Sequence, residues 1–69
     1  MFNERYFKAE IVRNGLSMKE VARRLNIDES TLYRKIKNNG NFSREEINKL
    51  ILLLHIEDPK SIFFSEKLA

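Results

Sequence analysis

SMKEVARRLNIDESTLYRKIKN, residues 17–38, is the stretch that decides how the chain folds. Ser17 reads as a helix N-cap, and Glu20, three residues on, completes the reciprocal capping pattern. Val21, Ala22 and Leu25 then share one face of a short helix. Asn26 ends it, because asparagine tolerates the left-handed backbone that commonly closes a helix. Ile27 is expected to be the buried pin of the turn. Asp28 caps a following helix that runs to about Asn38, and Leu32 and Ile36, four apart, hold that helix to the core. Two helices linked by so few residues must cross steeply, and a small side chain is needed where they approach. Ala22 stands at that point. Caps, short turn, small residue and flanking apolar contacts together predict a helix-turn-helix unit.

Upstream, Phe7 and Ile11 share a face of a helix from about Glu4 to Asn14, which Gly15 ends. Downstream, Asn38-Asn39-Gly40-Asn41 breaks the chain. Ser43 opens a fourth helix, with Glu46 again at the third position, and Ile47, Leu50, Ile51 and Leu54 line one side. Asp58-Pro59 reads as N-cap and first residue of a short fifth helix bearing Ile62, Phe63 and Phe64. No β-branched run and no alternating stretch bounded by turns occurs. The expected fold is all-α, with five short helices in one domain over 1–69.

The bulk numbers limit what such a domain does. At 69 residues it needs nearly all its apolar groups for its core, leaving little for a deep substrate pocket. No cysteine is present, which removes disulfides and thiolate metal sites. His55 lies near Glu57 and Asp58, but zinc takes three or four protein ligands. His55 is therefore read as a surface residue at the end of the fourth helix. No phosphate loop or nucleophile elbow is found. The expectation is no enzyme, no catalytic residue, no metal, no cofactor and no small-molecule ligand. The longest apolar run, Ile51–Leu54, is far too short to cross a bilayer. The charged start resembles no signal peptide, so a cytoplasmic chain is expected, with no membrane partner.

Charge is unevenly spread. Residues 1–40 carry nine basic and five acidic groups, while residues 41–69 carry four basic and five acidic. A polyanion would meet the first half, although mixed solvated charge gives the same numbers. The third helix is more informative. With Leu32 and Ile36 inward, its other face shows Glu29, Ser30, Tyr33, Arg34 and Lys37. Such a mixed face suits the major groove of double-stranded DNA, which admits one helix and displays base-edge donors and acceptors. Arg34 fits guanine bidentately, Ser30 several bases, Glu29 a cytosine amino group, and Tyr33 a thymine methyl or a phosphate. Arg23 and Arg24, on the outer part of the second helix, are expected on a solvated face. Phe2, Tyr6, Phe63 and Phe64 either cap the core or form a dimer interface.

GLSMKEVARRLNIDESTLYRKIKNNGNFSREEI, from Gly15, resembles the DNA-binding domain of phage Cro and repressor proteins, the lambda-repressor-like or XRE-type family. It looks most like small phage or prophage regulators whose recognition helix ends in a Tyr-Arg-Lys-Ile run followed by Asn-Gly and Phe. The resemblance implies five helices, sequence-specific binding to an operator, and a homodimer at least on DNA. By position, it places Glu29, Ser30, Tyr33 and Arg34 at base-reading positions, which Lys37 extends. It places Ser17, Met18 and Lys19 against the phosphate backbone, with Asn39 and Asn41 after the third helix in the same role. Three residues depart from the pattern. Asn26 stands where glycine is common, Met18 where a polar residue commonly bonds phosphate, and Lys35 where an apolar residue is common. Ile36 takes that packing role, so the direction of Lys35 stays open, with a phosphate contact as the role considered for it. The function implied is transcriptional regulation in the bacterial host cytoplasm, at the nucleoid. An antitoxin or excisionase-like DNA-binding protein is the first alternative, and a helical protein-interaction module without DNA binding the second.

Overall fold

The structure is a computed structural model that describes residues 1–64. The expected domain runs on through 65–69, which lie outside the described residues. The chain forms α1 (Glu4–Arg13), α2 (Met18–Arg24), α3 (Glu29–Lys37), α4 (Arg44–Leu54) and α5 (Pro59–Phe63). Among the described residues there is no strand. The all-helical, five-helix expectation holds.

Local chemistry explains most helix starts. The Asn3 side chain accepts the Tyr6 N–H at 3.1 Å. Ser17 with Glu20 and Ser43 with Glu46 form complete capping boxes, each offsetting amides that helix geometry leaves unpaired. Asp28 and Asp58 hold N-cap positions, yet neither side chain accepts a bond from its helix backbone. Asp58 instead accepts from the Ser61 hydroxyl. What Asp28 contributes is negative charge beside the positive end of α3.

The ends of α1, α2, α3 and α4 share one device. Gly15, Asn26, Asn39 and His55 all have positive φ, at 68°, 61°, 60° and 52°. After α2, the Asn26 N–H donates to the Arg23 carbonyl and the Ile27 N–H to the Ala22 carbonyl, each at 3.0 Å. This is the Schellman pair, and it satisfies two carbonyls that α2 would otherwise leave open. Ile27 is thereby fixed by its backbone rather than by deep burial. Its side chain is half-buried, not the fully buried pin expected, because it follows the left-handed residue at the rim of a cleft between α2 and α3. His55, exposed as expected, is the residue that turns the chain out of α4.

The core takes one face from every helix. Phe7, Val21, Leu32, Leu50, Leu54 and Ile62 are 0% exposed. At its centre Phe2, Phe7, Phe42 and Phe63 form a four-ring cluster in which every ring contacts the other three, with centroids 5.3–6.4 Å apart. The rings are tilted or edge-on, the arrangement their quadrupoles favour. Phe2 is tied in by its N–H, which donates to the Asn39 side chain at 3.0 Å. The Asn3 N–H donates to the Ile62 carbonyl at 2.7 Å. Of the terminal aromatics, Phe2 and Phe63 belong to the core, whereas Tyr6 and Phe64 remain exposed. Asn14 ties the end of α1 to the end of α4, its amide donating to the Glu10 and Leu54 carbonyls at 2.7 and 2.9 Å.

Two substitutions test this packing. Gly40 has φ +65°, and a Cβ there would collide with the Phe2 side chain. Gly40→Ala therefore lowers stability by roughly 2–4 kcal/mol, combining left-handed strain with overpacking. Ala22 is 2% exposed, so Ala22→Leu costs about 1–3 kcal/mol by forcing α2 and α3 apart. Denaturant melts of both variants check these values, and an unchanged midpoint for Ala22→Leu contradicts the assigned register of the turn.

Candidate nucleic-acid interface

α2 and α3 pack against each other across the short turn. Leu32 and Ile36 bury one side of α3, and the helical period turns Glu29, Ser30, Tyr33, Arg34 and Lys37 outward, all exposed. The structure therefore brings the five expected base-reading residues onto one open surface. Tyr33 retains 43% of its accessible area despite its size. An exposed aromatic between cationic and hydroxyl groups matches the mixed chemistry of base edges.

The expected phosphate contacts divide. At the start of α2, the Ser17 hydroxyl accepts the Glu20 N–H and donates to its carboxylate, both at 3.2 Å. Ser17 is thus committed to its cap, and the first-turn amides of Met18 and Lys19 are the groups free of helical acceptors. The Lys19 side chain is exposed, while Met18 is half-buried against the core. Asn39 and Asn41 are exposed in the loop after α3, although the Asn39 side chain also accepts from Phe2.

Lys35 goes elsewhere. It lies one turn from Leu32 on the side facing α4, and its ammonium is 3.3 Å from the Glu46 carboxylate. It also donates to the Asn41 carbonyl at 3.4 Å. The structure sets Lys35 as a strut between α3, the following loop and α4. Lys37 stays with the exposed row of α3, and its ammonium lies 3.1 Å from Glu4 on α1. Glu4 also meets Lys8 at 2.8 Å. Lys8 lines a shallow cleft with Tyr33, Met18, Leu16, Val12 and Ile11. It was missed in the sequence, since its spacing in α1 says nothing of where α3 lies.

Three carboxylates are tuned by these contacts. Hydrogen bonds from Lys8 and then Lys37 hold the Glu4 carboxyl below its ordinary value. The Arg13 guanidinium does the same for Glu10 through a bidentate pair at 2.7 Å. For Glu46, burial pushes upward, but the Ser43 N–H and the Lys35 ammonium outweigh it and leave the pKa lowered. Among the described residues, no group of three His, Cys, Asp or Glu is placed to hold a metal ion. No helix among them is long and apolar enough to cross a membrane. Arg23 and Arg24 are exposed, away from the core.

Comparison with known proteins agrees with this geometry. The family model described as an antitoxin Xre-like helix-turn-helix domain matches residues 9–55. No curated protein and no solved structure matches the chain.

The lowered carboxyl pKa values set a direction for stability against pH. A group depressed in the folded state stabilises above its unfolded pKa, and that stability is lost as pH falls through the folded value. The melting temperature is expected to fall as pH drops below about 5. Glu46→Gln keeps the capping geometry and removes the charge pair with Lys35, so its melting temperature falls less across that window. Thermal melts from neutral to acidic pH read this directly, and parallel curves for the two chains exclude Glu46 as a contributor.

Proposed function

The chain belongs to the antitoxin Xre-like helix-turn-helix family, a DNA-binding fold, and from that premise we propose that it is a sequence-specific transcriptional regulator. It inserts α3 into the major groove of an operator and acts by occupancy, without catalysis, cofactor or small-molecule ligand. The observation that carries the reading is the open row of Glu29, Ser30, Tyr33 and Arg34 opposite buried Leu32 and Ile36. Arg34 binds guanine through its fork, Ser30 and Glu29 take neighbouring base edges, and Tyr33 takes a thymine methyl or a phosphate. The amides of Met18 and Lys19 and the loop at Asn39 and Asn41 meet the backbone, which sets register while the row sets sequence. On DNA two copies bind half-sites about one helical turn, ~34 Å, apart. The likeness to Cro and repressor domains supports a phage or prophage repressor working in a bacterial host cytoplasm.

The family's description favours one second reading, an antitoxin with the same DNA-binding fold. Footprinting separates the two: protection of a divergent promoter supports the regulator. Rescue of cells poisoned by the product of an adjacent gene supports the antitoxin.

Selection from a random duplex pool is expected to return paired half-sites. On the selected site, Arg34→Ala costs about 1–3 kcal/mol and relaxes base choice at one position. Equal weakening on random DNA makes Arg34 a phosphate contact instead. Retention of no duplex by the unaltered chain at moderate salt overturns the DNA reading.

A further inference from the structure

Glu4 places one carboxylate oxygen between two lysines from different helices. Its Oε2 lies 2.8 Å from Lys8 Nζ and 3.1 Å from Lys37 Nζ. Both side chains remain open to water, with 46% and 67% of their area exposed. Lys37 follows Tyr33 by four residues and Arg34 by three, so it extends the reading row. Lys8 borders the same cleft as Tyr33 and Met18. The edge of α1 is therefore continuous with the surface formed by α2 and α3.

The chemistry of the pair is that of an anion site. Two ammonium groups converge on one oxygen and outnumber the single carboxylate, leaving a net positive charge. Lysine is a compact point charge with freely rotating donors, suited to phosphate oxygens. Exposed ion pairs are weak in water, so a phosphate diester competes well for both lysines.

We propose that Lys8 and Lys37 form a single phosphate clamp across α1 and α3, with Glu4 as the acceptor they share before DNA arrives. The clamp takes one backbone phosphate at the edge of the groove that α3 enters, and that phosphate replaces Glu4 as the shared acceptor. The proposal rests on the DNA-binding reading and reassigns Lys37 from bases to backbone.

Fluorescence anisotropy over a salt series, with the selected duplex and a random duplex, tests it. Lys8→Ala and Lys37→Ala each make the slope of log K against log salt shallower, by up to about 0.9 for one lost phosphate. The double variant is expected to lose little more than either single, since both lysines serve one phosphate. Affinity falls by the same factor on both duplexes. Lys8→Arg keeps the wild-type slope, and Glu4→Gln tightens binding to both duplexes by removing the competing anion. Thermal melts confirm that each variant is folded. An unchanged slope in Lys8→Ala, with the wild type still binding, overturns the clamp alone. So do independent, additive losses from the two lysines, or a change of base preference in Lys37→Ala. A wild-type chain without salt-dependent binding to either duplex overturns the DNA reading and the clamp together.

Discussion

Four phenylalanine rings in mutual contact hold the N-terminal segment, α1, the loop before α4 and α5 in one place. Phe2 comes from the N-terminal segment, Phe7 from α1, Phe42 from the loop before α4, and Phe63 from α5. None of these elements is long enough to be stable alone in water. Their burial is shared, so the cluster couples segments far apart in sequence. It also fixes the loop that leaves α3. Phe2 packs on Gly40 and donates its N–H to Asn39, just after α3. The far end of the exposed face of α3 is therefore set by Phe2.

The near end is set by backbone geometry. Asn26 supplies the left-handed step and, with Ile27, returns two amides to the last turn of α2. Ala22 lets α3 approach closely, and Leu32 and Ile36 then leave α3 little choice of rotation. The open row on its outer face follows from those two buried residues by helical period alone. Precise placement of side chains on a rigid helix is what base reading needs, because sequence discrimination depends on hydrogen-bond geometry.

Charge is distributed according to the same logic. Lys35 and Lys37 are two residues apart and face different neighbours. Lys35 is drawn toward Glu46 and the Asn41 carbonyl, where it braces α3 against α4. Lys37 sits over Glu4 at the edge shared with Lys8. The modest net charge of +3 hides this arrangement, since several cations are already engaged with carboxylates. Surface pairs of this kind add little stability individually, but they decide which ammonium groups remain beside the row.

Much of this is legible in the order of residues alone, and particular residues show why. The capping boxes at Ser17 and Ser43 and the stops at Gly15, Asn26 and Asn39 obey rules spanning at most one helical turn. The burial of Leu32 and Ile36, and hence the exposure of Glu29, Ser30, Tyr33 and Arg34, obeys a local period. Such rules can be read from the order of residues. The partners of Lys35, Lys37 and Phe2 lie 11, 33 and 37 positions away, and no local pattern encodes them. Ile27 and Asp28 show a subtler limit, since each holds its expected position but not the expected burial or bond. The sequence alone determined the helices, their ends and the face that α3 presents, because short-range backbone geometry dictates them. Only the tertiary structure decided which lysines border that face and what holds it in place, because those contacts exist only once distant segments share a core.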